Sequence, residues 1–505
     1  MKKLSLIVLS VLAMSNAIAQ DISDALRYSQ DEIQGSARFR ALSGAFGALG
    51  GDMSAVSVNP AGSAIFNRSH ASISLSSLTV DNDISFFNGR SSSSDSKIDL
   101  HQAGAAFVFA NTNENASWNK FVISIAYDKT GNYDDQWFAS GQNTNSIDNY
   151  FLAYAQGQRL DQISAFPGET ISQAYLEIGS TFGFGNQQAF LGFESFILEP
   201  DSDTDANINY SSNIAPGTFN QQYDYVARGY NGKISFNASA EYENKLYLGL
   251  NLNAHFIDYE RFTYFRESNS NENSVVTNVA FNNSLLTRGN GFSFQLGAIY
   301  KLTKEFRAGF TYNSPTWFTI TEETTQGLST IVNDIDGSFT ANVNPNVVNV
   351  FPDYRLRSPG KITGSLAYVF GDKGLLSFDY SRKDYTNIEF RPDSDPFFIS
   401  QNQVMSTLFK VANTYRFGGE YKHKQFSFRG GYRFEESPYE DDSFYGNLTG
   451  YSFGLGYNIG NTRIDLTYDN AQRTIDNQLF SVGLTDAATL DTSNSNVTLT
   501  LGFNL

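Results

Sequence analysis

From Ile234 to the carboxyl end, apolar residues fall on every second position for about ten residues at a time, polar or small residues fill the gaps, and turn residues follow each run. Side chains of a β-strand alternate between faces, so each run carries an apolar and a polar side. In 246–256, Leu246, Leu248, Leu250, Leu252, Ala254 and Phe256 share one face, and Tyr247, Gly249, Asn251, Asn253 and His255 the other. A bilayer is crossed by strands of about 9–11 residues with this polarity. A soluble sandwich alternates in the same way, so the location rests on further features.

The alternation predicts strands near 70–80, 98–110, 118–128, 229–242, 245–258, 289–302, 305–318, 360–371, 374–386, 411–422, 425–435, 449–459, 462–470 and 495–505. Short connections at 243–244, 303–304, 371–373, 423–424 and 460–461 alternate with long ones at 81–97, 129–228, 259–288, 319–359, 387–410, 436–448 and 471–494. An even strand number with short inner turns and long outer loops describes an all-β fold, an antiparallel transmembrane β-barrel of about 14 strands. Its outward rows are Ile234, Phe236, Ala238, Ala240, Tyr242; Phe292, Phe294, Leu296, Ala298, Tyr300; Phe426, Phe428, Gly430, Tyr432, Phe434; and Tyr451, Phe453, Leu455, Tyr457, Ile459. None is charged, and Lys or Arg there would cost about 2–4 kcal/mol at mid-bilayer. The opposite rows hold Lys233, Glu241, Asp379, Arg463 and Asp465, with Arg416, Glu420, Arg429 and Arg433 as the candidate lumen-facing charges. The closing strand carries Val497, Leu499, Leu501, Phe503 and Leu505 in its apolar row, the kind of terminus that barrel assembly machinery reads.

The amino end explains how such a chain reaches a membrane. Lys2 and Lys3 precede the apolar run 4–14 and the small-x-small sequence Ala17-Ile18-Ala19, which predicts a secretory signal over 1–19 cut before Gln20. The run is too short for a spanning helix, which needs about 20 apolar residues. Export with a mean hydropathy of -0.32 fits a barrel of the outer membrane of a Gram-negative bacterium. Between leader and barrel, 20–69 reads as a plug and not as strands; 70–505 is the barrel. Asp24 to Arg27 starts a short helix, 41–51 is rich in small residues, and Asn59-Pro60 fixes a turn. Gly44, Gly47, Gly50 and Gly51 lack the Lys-Ser/Thr and βαβ setting of a phosphate cradle, but small residues suit a plug that must press closely on a barrel wall. The insertion 129–228 has helical spacing at Ile147, Tyr150, Phe151, Tyr154 and at Ile171, Ala174, Tyr175, Ile178, which predicts either an external cap or ligand platform or an exposed helical hairpin packed on neighbouring loops.

Net charge of -17, about -19 without the leader lysines, excludes nucleic acid as a natural partner. With Cys 0 there is no disulfide, thiolate nucleophile or sulfur-based zinc site. The four histidines, His70, His101, His255 and His423, sit in no hydrolase or metalloprotease motif, and only His101 merits naming for an outer-wall lipase. No catalytic residue, metal site or cofactor is therefore assigned. The acidic stretches 201–205 and 393–395 fall in outer loops, where calcium or divalent-bridged lipopolysaccharide could meet them, but they lack the twelve-position calcium-loop pattern and read as solvated acidic loops. The 15% aromatic content, mostly Phe and Tyr, fits interfacial girdles among outer-membrane lipid.

Gly35-Ser36-Ala37-Arg38, the run 44–51 with Asp52, and Asn59-Pro60-Ala61 open a resemblance to the FadL-type outer-membrane transporters of long-chain fatty acids and aromatic hydrocarbons, whose hatch they are similar to. It continues in Ser358-Pro359 before Gly364-Ser365-Leu366-Ala367-Tyr368, in Asp379-Tyr380 and Asp384-Tyr385, and in Tyr415-Arg416-Phe417-Gly418-Gly419-Glu420-Tyr421 with Phe428-Arg429-Gly430-Gly431-Tyr432 and Ser437-Pro438-Tyr439. It implies fourteen strands and passive passage of a hydrophobic ligand. Capture outside, a hatch at Asn59, Pro60, Ala61 and the four glycines, and sideways exit through a wall gap near 121–129 complete the implied route. The large early insertion departs from the family, whose capture groove comes from later loops. A general porin and an adhesive barrel are the rival readings; the plug argues against the porin.

Overall fold

In the computed structural model, fourteen antiparallel strands close into one barrel. They are β1 (His70–Phe86), β2 (Gly89–Ala110), β3 (Trp118–Asn132), β4 (Phe219–Tyr242), β5 (Leu246–Ser268), β6 (Val276–Lys301), β7 (Phe306–Asn313 and Thr316–Asp334) and β8 (Tyr354–Ser358 and Lys361–Val369). Next come β9 (Gly374–Asp384), β10 (Val411–His423), β11 (Phe426–Glu435), β12 (Leu448–Ile459), β13 (Thr462–Gln478) and β14 (Ala487–Asn504). Pairing of β1 with β14, from His70↔Asn504 to Ser85↔Thr489, seals the cylinder. The structure describes residues 21–505 apart from Glu114 and Asp336; the leader expected over 1–19 and its cut before Gln20 lie outside them.

The polarity of β5 inverts once along its length, and the inversion separates two storeys. From Leu246 to Phe256 the outward even positions are apolar while the inward Asn251 and Asn253 are buried and polar. Past Phe256 the outward side carries Asp258, Glu260 and Arg266, and the inward side becomes Ile257, Tyr259 and Phe265, all buried. Strand β1 does the same, with buried Ser72, Ser74 and Ser76 giving way to Leu78, Val80, Ile84 and Phe86. A row such as Leu250, Leu252, Phe236 and Phe453, well exposed on the barrel exterior, is stable only against lipid. The belt is therefore the membrane storey, and above it stands a water-facing barrel with an aromatic core.

This second storey corrects the expected loops. Residues 81–97 are not a long connection: β1 and β2 run on and turn at Phe87-Asn88. Likewise 259–288 shrinks to 269–275, and 471–494 to 479–486. Outside the bilayer the outward rows meet water, so Ser92, Ser94 and Ser96 can face out and the apolar-out alternation disappears although the strand does not. The inner turns stay tight. Glu243 and Asn244 both take positive φ, 48° and 55°, the two-residue hairpin turn that matches strand twist.

Inside the cylinder lie α1 (Ile22–Ser29), α2 (Ala37–Ala41), α3 (Met53–Val58) and the 3₁₀ helix Pro60–Ile65. The outer insertion forms α4 (Asp148–Ala155), α5 (Ile171–Phe182) and α6 (Phe184–Glu194), and α7 (Pro396–Leu408) lies in a later loop. Thr170 and Gln173 cap α5 reciprocally. Helix α6 lacks the helical period because Ala189, Phe190 and Leu191 are buried in succession on every side. At the top of β5 Glu267 accepts from Ser146 Oγ (2.6 Å) and the Ile147 amide (3.1 Å), anchoring the insertion; burial pushes its carboxyl up to about 7.

Candidate transport path

The hatch is held by caps and by the wall. Ser36 caps α2 by accepting from the Phe39 amide and donates to Asp52 (2.6 Å), which itself caps α3. Asn59 accepts from the Ala61 amide (3.1 Å) and donates to the carbonyls of Gly47 (2.7 Å) and Ala298 (3.1 Å), so one side chain joins two hatch turns to β6. Pro60 opens the 3₁₀ helix, where its missing N–H and fixed φ are suited, and its carbonyl accepts from Asn237 (2.9 Å). Gly44, Gly50 and Gly51 have φ of 76°, 64° and 68°, the left-handed region. Gly47 has ordinary φ, and its amide with that of Phe46 donates to Asp379 (2.9 Å each).

Charged groups weld this unit to the bore. Arg38 reaches Glu420 (3.0 Å), which also accepts from Arg429 (2.6 Å); Arg429 continues to Asp465 (2.8 Å). Arg40 forks onto Asp469 through Nε and Nη2, at 2.8 Å each. Arg416 and Arg433 both approach Glu435, at 3.7 and 3.4 Å. Arg416, Glu420, Arg429 and Arg433 thus all point into the bore. The wall also provides room. A Cβ on Gly249 of β5 would stand 2.2 Å from the Pro60 carbonyl carbon. Gly249→Val is therefore expected to unseat the 3₁₀ helix and admit small sugars in liposome swelling, while the barrel keeps its heat-modifiable migration; unchanged swelling refutes this seating role.

Above the hatch, α1 stands in the aromatic chamber. Tyr28 meets Tyr133 and Tyr259 edge-on at 6.1 and 6.2 Å, and the Arg27 guanidinium lies 4.7 Å over the Tyr259 ring. Leu26 and Ala25 are fully buried there. Between chamber and hatch lies a polar cavity of about 110 Å³, lined by Asp31, Asp128, Lys233, His255, Lys361 and Lys383 among others. At about 10–15 Å³ of such volume per water it has room for several.

The cavity reaches Lys129, where the wall parts. Strands β2 and β3 pair from Ala110↔Lys120 to Gln102↔Asp128. Beyond that point β3 follows β4, with a register shift between Lys129 and Gly131, while β2 follows β1. Side chains cross the opening instead of backbone: Asp95, Lys97 and Asp99, at alternate positions of β2, meet Arg228 (3.0 Å), Asp134 (2.9 Å) and Lys129 (2.8 Å). Partly exposed pairs of this kind contribute about 0–1 kcal/mol each. The clasp escaped sequence reading although Asp95-x-Lys97-x-Asp99 keeps the strand period, because the surrounding serines carry no apolar signal. His101 lies beside it, wholly buried at the β1–β2 bulge and so not on the outer wall that a lipase reading requires.

A closed barrel, an internal plug and a wall that opens between β2 and β3 beyond Asp128 invite comparison with solved structures. A FadL homologue of Pseudomonas aeruginosa superposes with a TM-score of 0.53 at 11% identity, over 94% of this chain and 99% of that one. The toluene transporter TodX of P. putida gives 0.52 at 14% identity, over 94% and 99%. The chain has the FadL-type fold. No family model and no curated protein matches the sequence. Within this FadL-type fold the connection between β3 and β4 holds the helices α4–α6. The acidic stretch 201–205 is exposed, Asp395 caps α7, and among the described residues no group of three or more His, Cys, Asp or Glu is placed to hold a metal.

Proposed function

We propose that this chain is an outer-membrane channel for passive entry of hydrophobic molecules, with 21–66 as its gate and the β2–β3 opening as its side exit. The observation that carries this is the inversion of β1 and β5: their inner faces turn aromatic and aliphatic where their outer faces turn polar. A water-filled porin has no use for an apolar chamber outside the membrane, whereas a hydrophobic solute gains about 25 cal/mol for each Å² it buries there. Asn59, Pro60, Ala61, Gly44, Gly47, Gly50 and Gly51 form the gate element, since Asn59 ties both hatch turns to the wall. The solute moves down from the chamber as the gate shifts and leaves where weak ion pairs stand in for the strand ladder. No energy source is required for movement down a gradient into lipid. The fold of a toluene transporter and of a FadL homologue supports the reading, and no adhesive surface is needed to explain the chamber.

The absence of cysteine allows a clean test of the exit. In an Asp99→Cys/Lys129→Cys double variant, a short bis-maleimide is expected to reduce uptake of radiolabelled dodecane into cells to the level of cells without the protein. Either single variant treated alike retains uptake. Undiminished uptake by the cross-linked protein rejects the side exit, and no uptake by any form rejects the channel.

A further inference from the structure

Strands β10 and β11 leave part of the barrel wall bare. Gly418 faces Gly431 and Gly419 faces Gly430 across the ladder, a block of glycines with no side chain on either surface. On the inner surface the hatch fills the space: a Cβ on Gly418 would meet Leu42 at 2.8 Å, and one on Gly431 the Ser43 amide nitrogen at 2.6 Å. On the outer surface none of the described residues does. A Cβ on Gly430 would touch nothing nearer than 3.8 Å, and the nearest neighbour of one on Gly419 is the flexible end of Leu376, at 3.2 Å. The outer pair is ringed by Leu376, Phe417, Tyr421, Phe428, Tyr432 and Phe453, all exposed. From this hollow a groove of about 520 Å³, apolar almost throughout, continues past Phe378 to Leu366, Tyr368 and Phe306.

The position of the groove says what covers it. It opens in the lipid-facing belt a few residues from the inner turn 423–424, so acyl chains surround it, and a chain seated between aromatic walls gains contacts that the smooth belt cannot give. Along its inner end run turns that carry Lys304, Lys373, Lys422 and Lys424, all exposed, against Glu305 and Asp372. These turns are joined: the Glu305 carbonyl accepts from the Val369 amide and the Lys373 carbonyl from the Lys422 amide, each at 2.8 Å. Lys304, Lys373 and Lys424 enter no ion pair among the described residues. On a chain of net charge -17, a positive rim beside an apolar groove favours an anionic headgroup.

We infer that this groove binds an anionic glycerophospholipid of the leaflet on the side of the inner turns, with one acyl chain over Gly419 and Gly430 and the phosphate at Lys304, Lys373 and Lys424. The site lies on the outside of the wall, away from the bore and from the β2–β3 opening, and it stands whether or not cargo takes that path. Leu42 and Ser43 of the hatch back the same glycines, so the lipid chain supports from outside a wall that is one backbone thick.

Native mass spectrometry of the purified protein, given equal amounts of phosphatidylglycerol and phosphatidylcholine with identical acyl chains, tests the site. The wild type is expected to retain one phosphatidylglycerol and to favour it over phosphatidylcholine about tenfold. Gly430→Leu fills the hollow with a side chain that the belt accepts, and is expected to abolish retention of either lipid. The combined Lys304→Gln, Lys373→Gln and Lys424→Gln variant keeps the groove and is expected to retain both lipids weakly and equally. Heat-modifiable migration on gels confirms that each variant is folded. Retention of neither lipid by the wild type, equal retention of the two, or phosphatidylglycerol retention that survives Gly430→Leu overturns the site. A wild-type dimer that disappears in Gly430→Leu would give the groove to a second copy of the chain and overturn the lipid.

Discussion

Deletion of residues 21–66 is expected to convert a sealed barrel into an open pore. The fourteen-strand ladder uses none of those residues, so the barrel keeps its strand pairing. What disappears is the material that packs the membrane storey of the bore, including Leu42, Phe46, Ala55 and Ala61, each wholly buried. The groups then exposed are polar: Asp379, Glu420, Arg429, Asp465, Asn237 and Asn251 would line a hydrated lumen. Liposome swelling in sucrose measures the effect, and flux should rise from background to that of a porin. A folded deletion variant that remains impermeable would show that the hatch does not seal the bore, and the gate proposed for Asn59-Pro60-Ala61 would fail with it.

The second large effect is expected at Glu420. Its side chain is fully buried and accepts from Arg38 and Arg429, with Lys422 and Arg463 each at 3.6 Å. Glu420→Ala strands those cations inside the barrel, and breaking a buried pair by removing one partner costs about 3–5 kcal/mol. Urea unfolding from lipid vesicles should show the loss. In the deletion of 21–66 the same substitution should be much milder, because Arg38 is gone and water reaches the remaining arginines. Equal costs in both backgrounds would mean that Arg38–Glu420 does not join hatch to wall.

The membrane storey was legible in the sequence for a simple reason. Lipid outside and polar bore inside impose opposite demands on adjacent residues, so Leu246 to Phe256 carries its register openly. Corresponding demands act on Phe426, Phe428 and Tyr432 or Tyr451, Phe453 and Leu455. The outer storey was not legible, because there the outward side faces water and the inward side is covered by α1 and α4–α6, which lie far away in the chain. Phe265 and Phe281 are inward because Phe480 and the insertion cover them, with Phe480 at 5.3 and 6.1 Å. A loop expected at 259–288 was thus largely strand.

The chain by itself determined that it would form a lipid-embedded, antiparallel cylinder with a small-residue plug, since alternation, turn chemistry and side-chain volume act between near neighbours. Tertiary structure alone decided where the wall parts and that an apolar chamber stands above a cation-lined cavity. Those features depend on groups such as Asp31 and Lys383, or Asp99 and Lys129, whose meeting is set by closure of the barrel and not by any local pattern.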